Sequence, residues 1–296
     1  MYPIETKTES RRWLLVAMIL MALMMVSCEK VIMDDGDGPD GKEMKGNVRI
    51  KVTGFTQTDF TRSPQNISDV CTRLNFAFFQ GESKVKTLSQ TASDEKFGDV
   101  SVSLGTGKYK MVIVAHSGNG AATITSPSKV TFADNKMTDT FLYCDDIEVS
   151  ADGSDVDVQL RRVVAMFRLR IMDDIPSSVT RLKFYYTGGS STLSATTGLG
   201  IVESKQTEYR TIEEGQHEYD VYTVPHAKND ELKVTVTALD AEDNPVKEQV
   251  FTNVPVTVNK ITQYAGDFFG SGSGSGNFSF TLTVDDEWED VIEKTF

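Results

Sequence analysis

The sequence predicts an all-β protein of two tandem β-sandwich domains behind a short apolar leader. Three observations carry this. Apolar residues recur with a period of two along most of the chain, turn-forming clusters separate the runs, and no long amphipathic helical pattern interrupts them. A chain of 296 residues is long enough for two domains, each able to bury its own core. Short strands at this spacing favour a sandwich over a parallel α/β sheet.

The first domain is expected over 46–159. Val48, Ile50 and Val52 alternate with Arg49, Lys51 and Thr53, and Val70, Thr72, Leu74, Phe76 and Phe78 share one face of a longer run. Val100, Val102 and Leu104, then Tyr109, Met111 and Ile113, then Val156, Val158 and Leu160 repeat the pattern. Gly105-Thr106-Gly107, Ser117-Gly118-Asn119-Gly120 and Asp152-Gly153 supply turns. The cut is placed near Gln159. A second domain, 160–269, opens with Val163, Ala165, Phe167, Leu169 and Ile171 on one face and Arg168 and Arg170 on the other. Leu182, Phe184 and Tyr186 follow, then Tyr219, Val221 and Thr223, and Leu232, Val234, Val236 and Ala238. The run DAEDNP makes a turn before the last strands, between Val254 and Tyr264.

Two segments flank the domains. At the start, Arg11 and Arg12 precede the uncharged run LLVAMILMALMMV, about half the ~20 residues a spanning helix needs. A positive region, a short apolar core and a small residue read as a secretory signal over 1–27. Its end, Met25-Val26-Ser27-Cys28, resembles the bacterial lipobox, with Met25 where Leu is usual. In that motif the cysteine thiol takes a diacylglyceryl group, and two or more acyl chains hold a protein firmly in a bilayer. Residues 28–45, rich in Gly, Asp and Pro, form a tether. Its acidic residues after Cys28 resemble the surface-export signals of Bacteroidales lipoproteins. At the other end, GSGSGSG (270–276) is a linker of roughly 15 Å span. Beyond it, 277–296 holds one more strand, with Phe278, Phe280, Leu282 and Val284 on one side, and an acidic tail with Trp288.

Charge and motifs exclude several functions. A net charge of −13 with no basic stripe argues against nucleic acid as a partner. Asp34, Asp35, Asp37 and Asp40 lack an EF-hand register, so no metal is expected there. His116, His217 and His226 lack zinc-site spacing, and the latter two read as solvated. There is no nucleophile elbow and no phosphate loop, and the adjacent acids Asp145-Asp146 and Asp173-Asp174 read as solvated strand ends. The chain is therefore expected to be no enzyme and to need no cofactor. Cys71 and Cys144 are either a disulfide, which would stabilise by about 4 kcal/mol on the chain-entropy model, or two buried thiols.

The lipoprotein start, the two-sandwich layout and the run Leu160-Arg161-Arg162-Val163-Val164-Ala165-Met166-Phe167-Arg168-Leu169 together resemble the anchor proteins of major and minor fimbriae. ITQYAGDFF (261–269) is similar to the closing strand of that family, and NFSFTLTVDDEWED to the Trp-bearing C-terminal segment of fimbrillins. The resemblance implies transthyretin-like Greek-key sandwiches, a lipid anchor in the outer membrane, other fimbrillin subunits as partners and assembly by strand donation. The strand from Phe278 to Val284 is then the candidate donor, worth about 6–12 kcal/mol gross if its four apolar side chains are fully buried. Family anchors often carry a second cysteine soon after the lipidated one, whereas this chain has none until Cys71, so an accessory or shaft subunit stays an alternative. Shaft subunits are cut by an Arg-specific protease. Arg62, in the loop FTRSPQN, is the candidate site, and the expectation here is an intact chain. A second functional class is a glycan- or protein-binding surface lipoprotein, using Tyr185, Tyr186, Tyr209 or Tyr222.

Overall fold

Val48, Ile50 and Val52 are at most 2% exposed, while Arg49 and Lys51 face water, which is the alternation of a half-buried strand. They belong to β1 (Val48–Thr56), the first strand of the computed structural model, which describes residues 47–56, 66–270, 281–285 and 292–293. The N-terminal half continues with a helical turn α1 (Ile67–Val70), β2 (Arg73–Gln80), β3 (Ser83–Thr91), β4 (Asp99–Val102) and β5 (Gly107–His116). It ends with β6 (Thr123–Ser126), β7 (Lys129–Thr131), a 3-10 turn (Ala133–Asn135), β8 (Phe141–Val149) and β9 (Ser154–Arg162). The C-terminal half begins with β10 (Ala165–Ile171), β11 (Arg181–Thr187), β12 (Thr192–Ser194), β13 (Leu199–Gly200) and β14 (Lys205–Thr211). There follow β15 (Glu218–Thr223), β16 (Asn229–Leu239), β17 (Pro245–Thr257), β18 (Ile261–Gly266), β19 (Thr281–Asp285) and β20 (Ile292–Glu293). Among the described residues the two short turns are the only helical segments, so the fold is all-β.

The N-terminal half is one seven-stranded sheet in the order β3-β2-β5-β8-β9-β1-β4. β8 and β9 pair only at Phe141↔Arg162 and Leu142↔Arg161, and the sheet folds over at that seam. Leu74, Phe76 and Phe78 of β2 and Met111 and Ile113 of β5 thereby share one core with β1 and with Val158 and Leu160 of β9. Gly153, in the turn that leads into β9, has φ +91, and a Cβ there would lie 2.6 Å from the Asn47 carbonyl oxygen, so only glycine fits. In the C-terminal half a sheet ordered β15-β10-β18-β19-β20 faces one ordered β14-β11-β16-β17. Phe167, Leu169 and Val221 from the first meet Phe184, Val234 and Val236 from the second, with the Phe167 ring 5.7 Å from both Phe251 and Tyr264. Most pairings are antiparallel, but β1 with β9 and β10 with β18 are parallel.

Two expectations change. Val70 lies in α1 and Thr72 precedes β2, so that strand starts at Arg73. β2 and β5 are also buried on both faces rather than one. Their second face, with Ala77, Phe79, Val112 and Val114, joins a third core that includes Leu193, Ala195 and Val224 from the C-terminal half. The unbroken apolar runs Ala77-Phe78-Phe79 and Met111-Val112-Ile113-Val114 fit strands covered on both sides. Pairing of β7 with β12 (Val130↔Leu193, Thr131↔Thr192) adds a four-stranded sheet, β13-β12-β7-β6, drawn from both halves.

Arg162 sits where the chain passes between the halves. β9 runs through Gln159 to Arg162, and β10 starts at Ala165. The buried guanidinium donates through Nε and Nη2 to both carboxylate oxygens of Asp139, at 2.7 and 2.8 Å. Nη1 donates to Asn259 Oδ1 at 3.2 Å, and the guanidinium carbon lies 4.6 Å from the centroid of the Phe141 ring. Asn259 adopts φ +62 and donates its backbone N–H to the Val164 carbonyl at 2.8 Å. Planar, bidentate recognition of a carboxylate suits arginine and not lysine. Arg162→Met keeps the stem and removes the charge, leaving Asp139 and Asn259 without their donor. Urea denaturation should show a loss of about 3 kcal/mol, the scale for breaking a largely buried pair; a loss under about 1 kcal/mol would show that the junction does not depend on it.

A second buried polar group titrates. Gly118 N–H donates to His116 Nδ1 at 3.0 Å, so the proton sits on Nε2, which faces Asn75 Oδ1 at 3.0 Å. Burial, then the nearby Arg73 charge, push the His116 pKa down to about 4. Between about pH 6.5 and 4 the unfolded chain binds the extra proton, so stability is complete above pH 6.5 and falls as the pH drops through that window. The limit is about 3 kcal/mol. The difference in urea midpoint between pH 7 and pH 4.5 should shrink in His116→Gln, and an unchanged difference would refute the assignment.

Candidate functional site

β19 places Leu282 and Val284 beside β18, with Tyr264↔Leu282 and Thr262↔Val284 in antiparallel register. β18 pairs on its other side with β10, so β19 covers its remaining edge. An uncovered strand edge presents unpaired N–H and C=O groups that recruit another strand. Phe278 and Phe280 lie outside the described residues, as do Cys28 and Arg62.

The chain is pinned just before the linker. Asp173 Oδ1 accepts the Phe268 N–H at 2.9 Å, and Oδ2 accepts those of Phe269 and Gly270, both at 2.8 Å. Phe268 is fully buried in the second core. Asp173 is thus not a solvated strand end, as its acidic neighbourhood suggested; it fixes the point from which the Gly/Ser segment departs. Three backbone donors on one carboxylate need the turn after β18 and the loop after β10 side by side, which no local pattern reveals.

Cys71 and Cys144 are free thiols. Cys71 is buried in the first core and Cys144 packs against the third, on the opposite face of the sheet. The disulfide alternative therefore does not form, because the two side chains are separated by the sheet itself. Burial pushes the Cys71 thiol up to about 12 and also raises that of Cys144. At pH 8 a thiol reagent should leave Cys71 unmodified in the native protein and label it once unfolded. A Cys71–Cys144 linked peptide in a non-reducing digest would contradict this arrangement.

The described histidines are dispersed, and no cluster of metal-ligating side chains occurs among the described residues. His217 is exposed, as expected. His226 is half-buried rather than fully solvated, with Nδ1 3.2 Å from Asp230 Oδ2 and Nε2 3.1 Å from the Val202 carbonyl. The four tyrosines separate. Tyr186 is buried, and its hydroxyl lies 2.6 Å from Glu208 Oε1, a carboxylate that Arg210 also contacts at 2.8 Å. Tyr222 packs against the third core, and burial raises its pKa. Tyr185 and Tyr209 remain 39% and 49% exposed on one outer sheet face.

Sandwiches, a junction sheet and a terminal strand that pairs with β18 define a β-rich protein. A sequence profile of the fimbrillin-A associated anchor proteins Mfa1 and Mfa2 matches residues 34–294, and the chain belongs to this family. It is a family of fimbrial anchor proteins, and no enzyme family is indicated. Among curated proteins none matches. A candidate polysaccharide-binding protein (DUF1812) from Bacteroides thetaiotaomicron VPI-5482 has a similar fold, with a TM-score of 0.52 at 9% identity over 84% of this chain and 98% of that one. The fimbrial anchor protein Mfa2 from Porphyromonas gingivalis aligns at 10% identity and a TM-score of 0.41, over 84% of this chain and 99% of its own. A fimbrial assembly protein from Parabacteroides distasonis ATCC 8503 aligns at 11% and 0.43, over 84% and 99%.

Proposed function

We propose that this chain is a cell-surface lipoprotein, held in the outer membrane through Cys28, that anchors or accompanies a fimbrium and joins other fimbrillin subunits by strand donation. The observation that carries the reading is membership of the anchor family over 34–294, combined with a terminal strand that contributes backbone pairing to β18 from beyond a Gly/Ser linker. The short apolar run ending in Ser27-Cys28 supports lipidation, and 28–45 supplies reach between membrane and body. Cutting at Arg62 would sever that link, which an anchor needs.

Mass spectrometry of the protein from isolated outer membranes and fimbriae tests the reading. The expected N-terminus is an acylated Cys28, and Cys28→Ala should abolish palmitate labelling and membrane retention. An N-terminus at Ser63 would make this a shaft or tip subunit instead. Deleting 277–296 should leave a folded protein that no longer joins its partner; loss of the C-terminal sandwich would instead make β19 an obligatory internal strand.

A further inference from the structure

The outer face of the sheet β14-β11-β16-β17 carries an aromatic and cationic platform. Leu182, Phe184 and Tyr186 of β11 point into the second core, so Lys183, Tyr185 and Thr187 point out. Cross-strand register aligns three rows on that face. One reads Thr207, Tyr185, Thr235 and Val250; the next reads Tyr209, Lys183, Thr237 and Glu248. The third places Lys205 and Lys233 on either side of Thr187. Tyr185 and Tyr209 are therefore diagonal neighbours, about 7–8 Å apart at the backbone. The Arg181 guanidinium carbon lies 5.1 Å from the centroid of the Tyr209 ring and pairs with Asp243, a contact that restrains the ring.

The charge of this face opposes that of the chain. Lys183, Lys205 and Lys233 form no ion pair among the described residues. Of the acids nearby, Asp243 is taken by Arg181, so the three lysines stand against two carboxylates, Glu248, which accepts the Thr237 hydroxyl at 3.0 Å, and Glu231 near the start of β16. An excess of lysine around two exposed rings is unexpected on a protein of net charge −13. Such a patch attracts anions from solution. Its shape selects among them. The platform spans about 14 Å in each direction, from strand spacings of ~4.8 Å and two-residue steps of ~6.8 Å. Threonines adjoin the rings: Thr207 and Thr235 flank Tyr185 in its row, and Thr207 stands two residues before Tyr209 on β14. A protein partner would need a contiguous apolar centre to bury, whereas the exposed apolar groups of this face are set apart, Val250 from Tyr185 by Thr235 and Val246 from Val250 by Glu248. Sugar rings present apolar C–H faces that stack on tyrosine and hydroxyl groups that meet threonine, while ring carboxylates meet lysine.

We propose that this face binds an anionic, carboxylate-bearing polysaccharide, with Tyr185 and Tyr209 as the stacking platform and Lys183, Lys205 and Lys233 as the carboxylate partners. β19 belongs to the other sheet of the sandwich, so the site is independent of strand donation, and its failure leaves the anchor reading untouched. The test titrates a fluorescent polygalacturonate oligosaccharide into the full-length protein in detergent, beside neutral dextran and an acidic peptide, DDEWEDVIEK, copied from this chain. Polygalacturonate should bind and dextran should not, with several-fold weaker binding at ~0.3 M salt than at ~0.05 M. Tyr185→Ala with Tyr209→Ala should weaken binding by about tenfold or more, consistent with loss of two stacked contacts. Lys183→Glu with Lys233→Glu should abolish it, and both variants should keep the thermal unfolding midpoint of the parent. Absence of polygalacturonate binding, equal binding by dextran, or unchanged affinity in either folded variant overturns the proposal. Tighter binding of the acidic peptide would assign the face to a protein partner and overturn it as well.

Discussion

A buried arginine at the junction of the halves is the constraint on which the rest of the architecture depends. Arg162 ends β9, reaches back to Asp139 in the N-terminal half and forward to Asn259 in the C-terminal half. A guanidinium away from water is unfavourable unless its donors are met, so these three segments must converge for the chain to fold. Asn259 then meets the Val164 backbone, which sets where β10 begins. Around this point the third core assembles from β2 and β5 on one side and Leu193, Ala195 and Val224 on the other. The junction is thus an interior in its own right, with a small sheet of β6, β7, β12 and β13 as its cover.

That interior leaves other surfaces for function. The second faces of β2 and β5 are spent on the junction, while the C-terminal sandwich keeps an edge and an outer face that bear on function. One sheet ends in an edge that β19 covers, and the Asp173 clamp holds the chain close to that edge before releasing it. The opposite sheet turns Tyr185, Tyr209 and unpaired lysines to solvent. Edge pairing and face recognition use different physics, main-chain hydrogen bonds in one case and side-chain chemistry in the other, and one sandwich can hold both.

Period-two patterning predicts most of the longer strands, because a half-buried strand must alternate apolar and polar side chains whatever it packs against. Val48 to Val52, Val163 to Ile171 and Leu232 to Ala238 show this directly, although Val163 precedes its strand. The short strands β6, β7, β12 and β13 leave no such trace, since two to four residues are too few for a period. The run from Leu160 to Leu169 was legible as a family resemblance; why it sets a pair of arginines before five consecutive apolar residues was not. The reason is that Arg162 is a buried donor, Val163 and Val164 belong to the junction core, and Ala165 and Phe167 belong to the second core.

The sequence by itself determined the β class, the apolar run that precedes Cys28, the Gly/Ser segment and the family of the protein. These are properties of local order along the chain: period, composition and motif spacing. Tertiary structure alone decided that Cys71 and Cys144 lie on opposite faces of a sheet, and that Asp173 caps the chain before the linker. It also decided that Tyr186 is inside while Tyr185 and Tyr209 share an outer face with Lys183. Each of those outcomes depends on register and packing between residues far apart in the chain, where a shift of one residue moves a side chain from core to water.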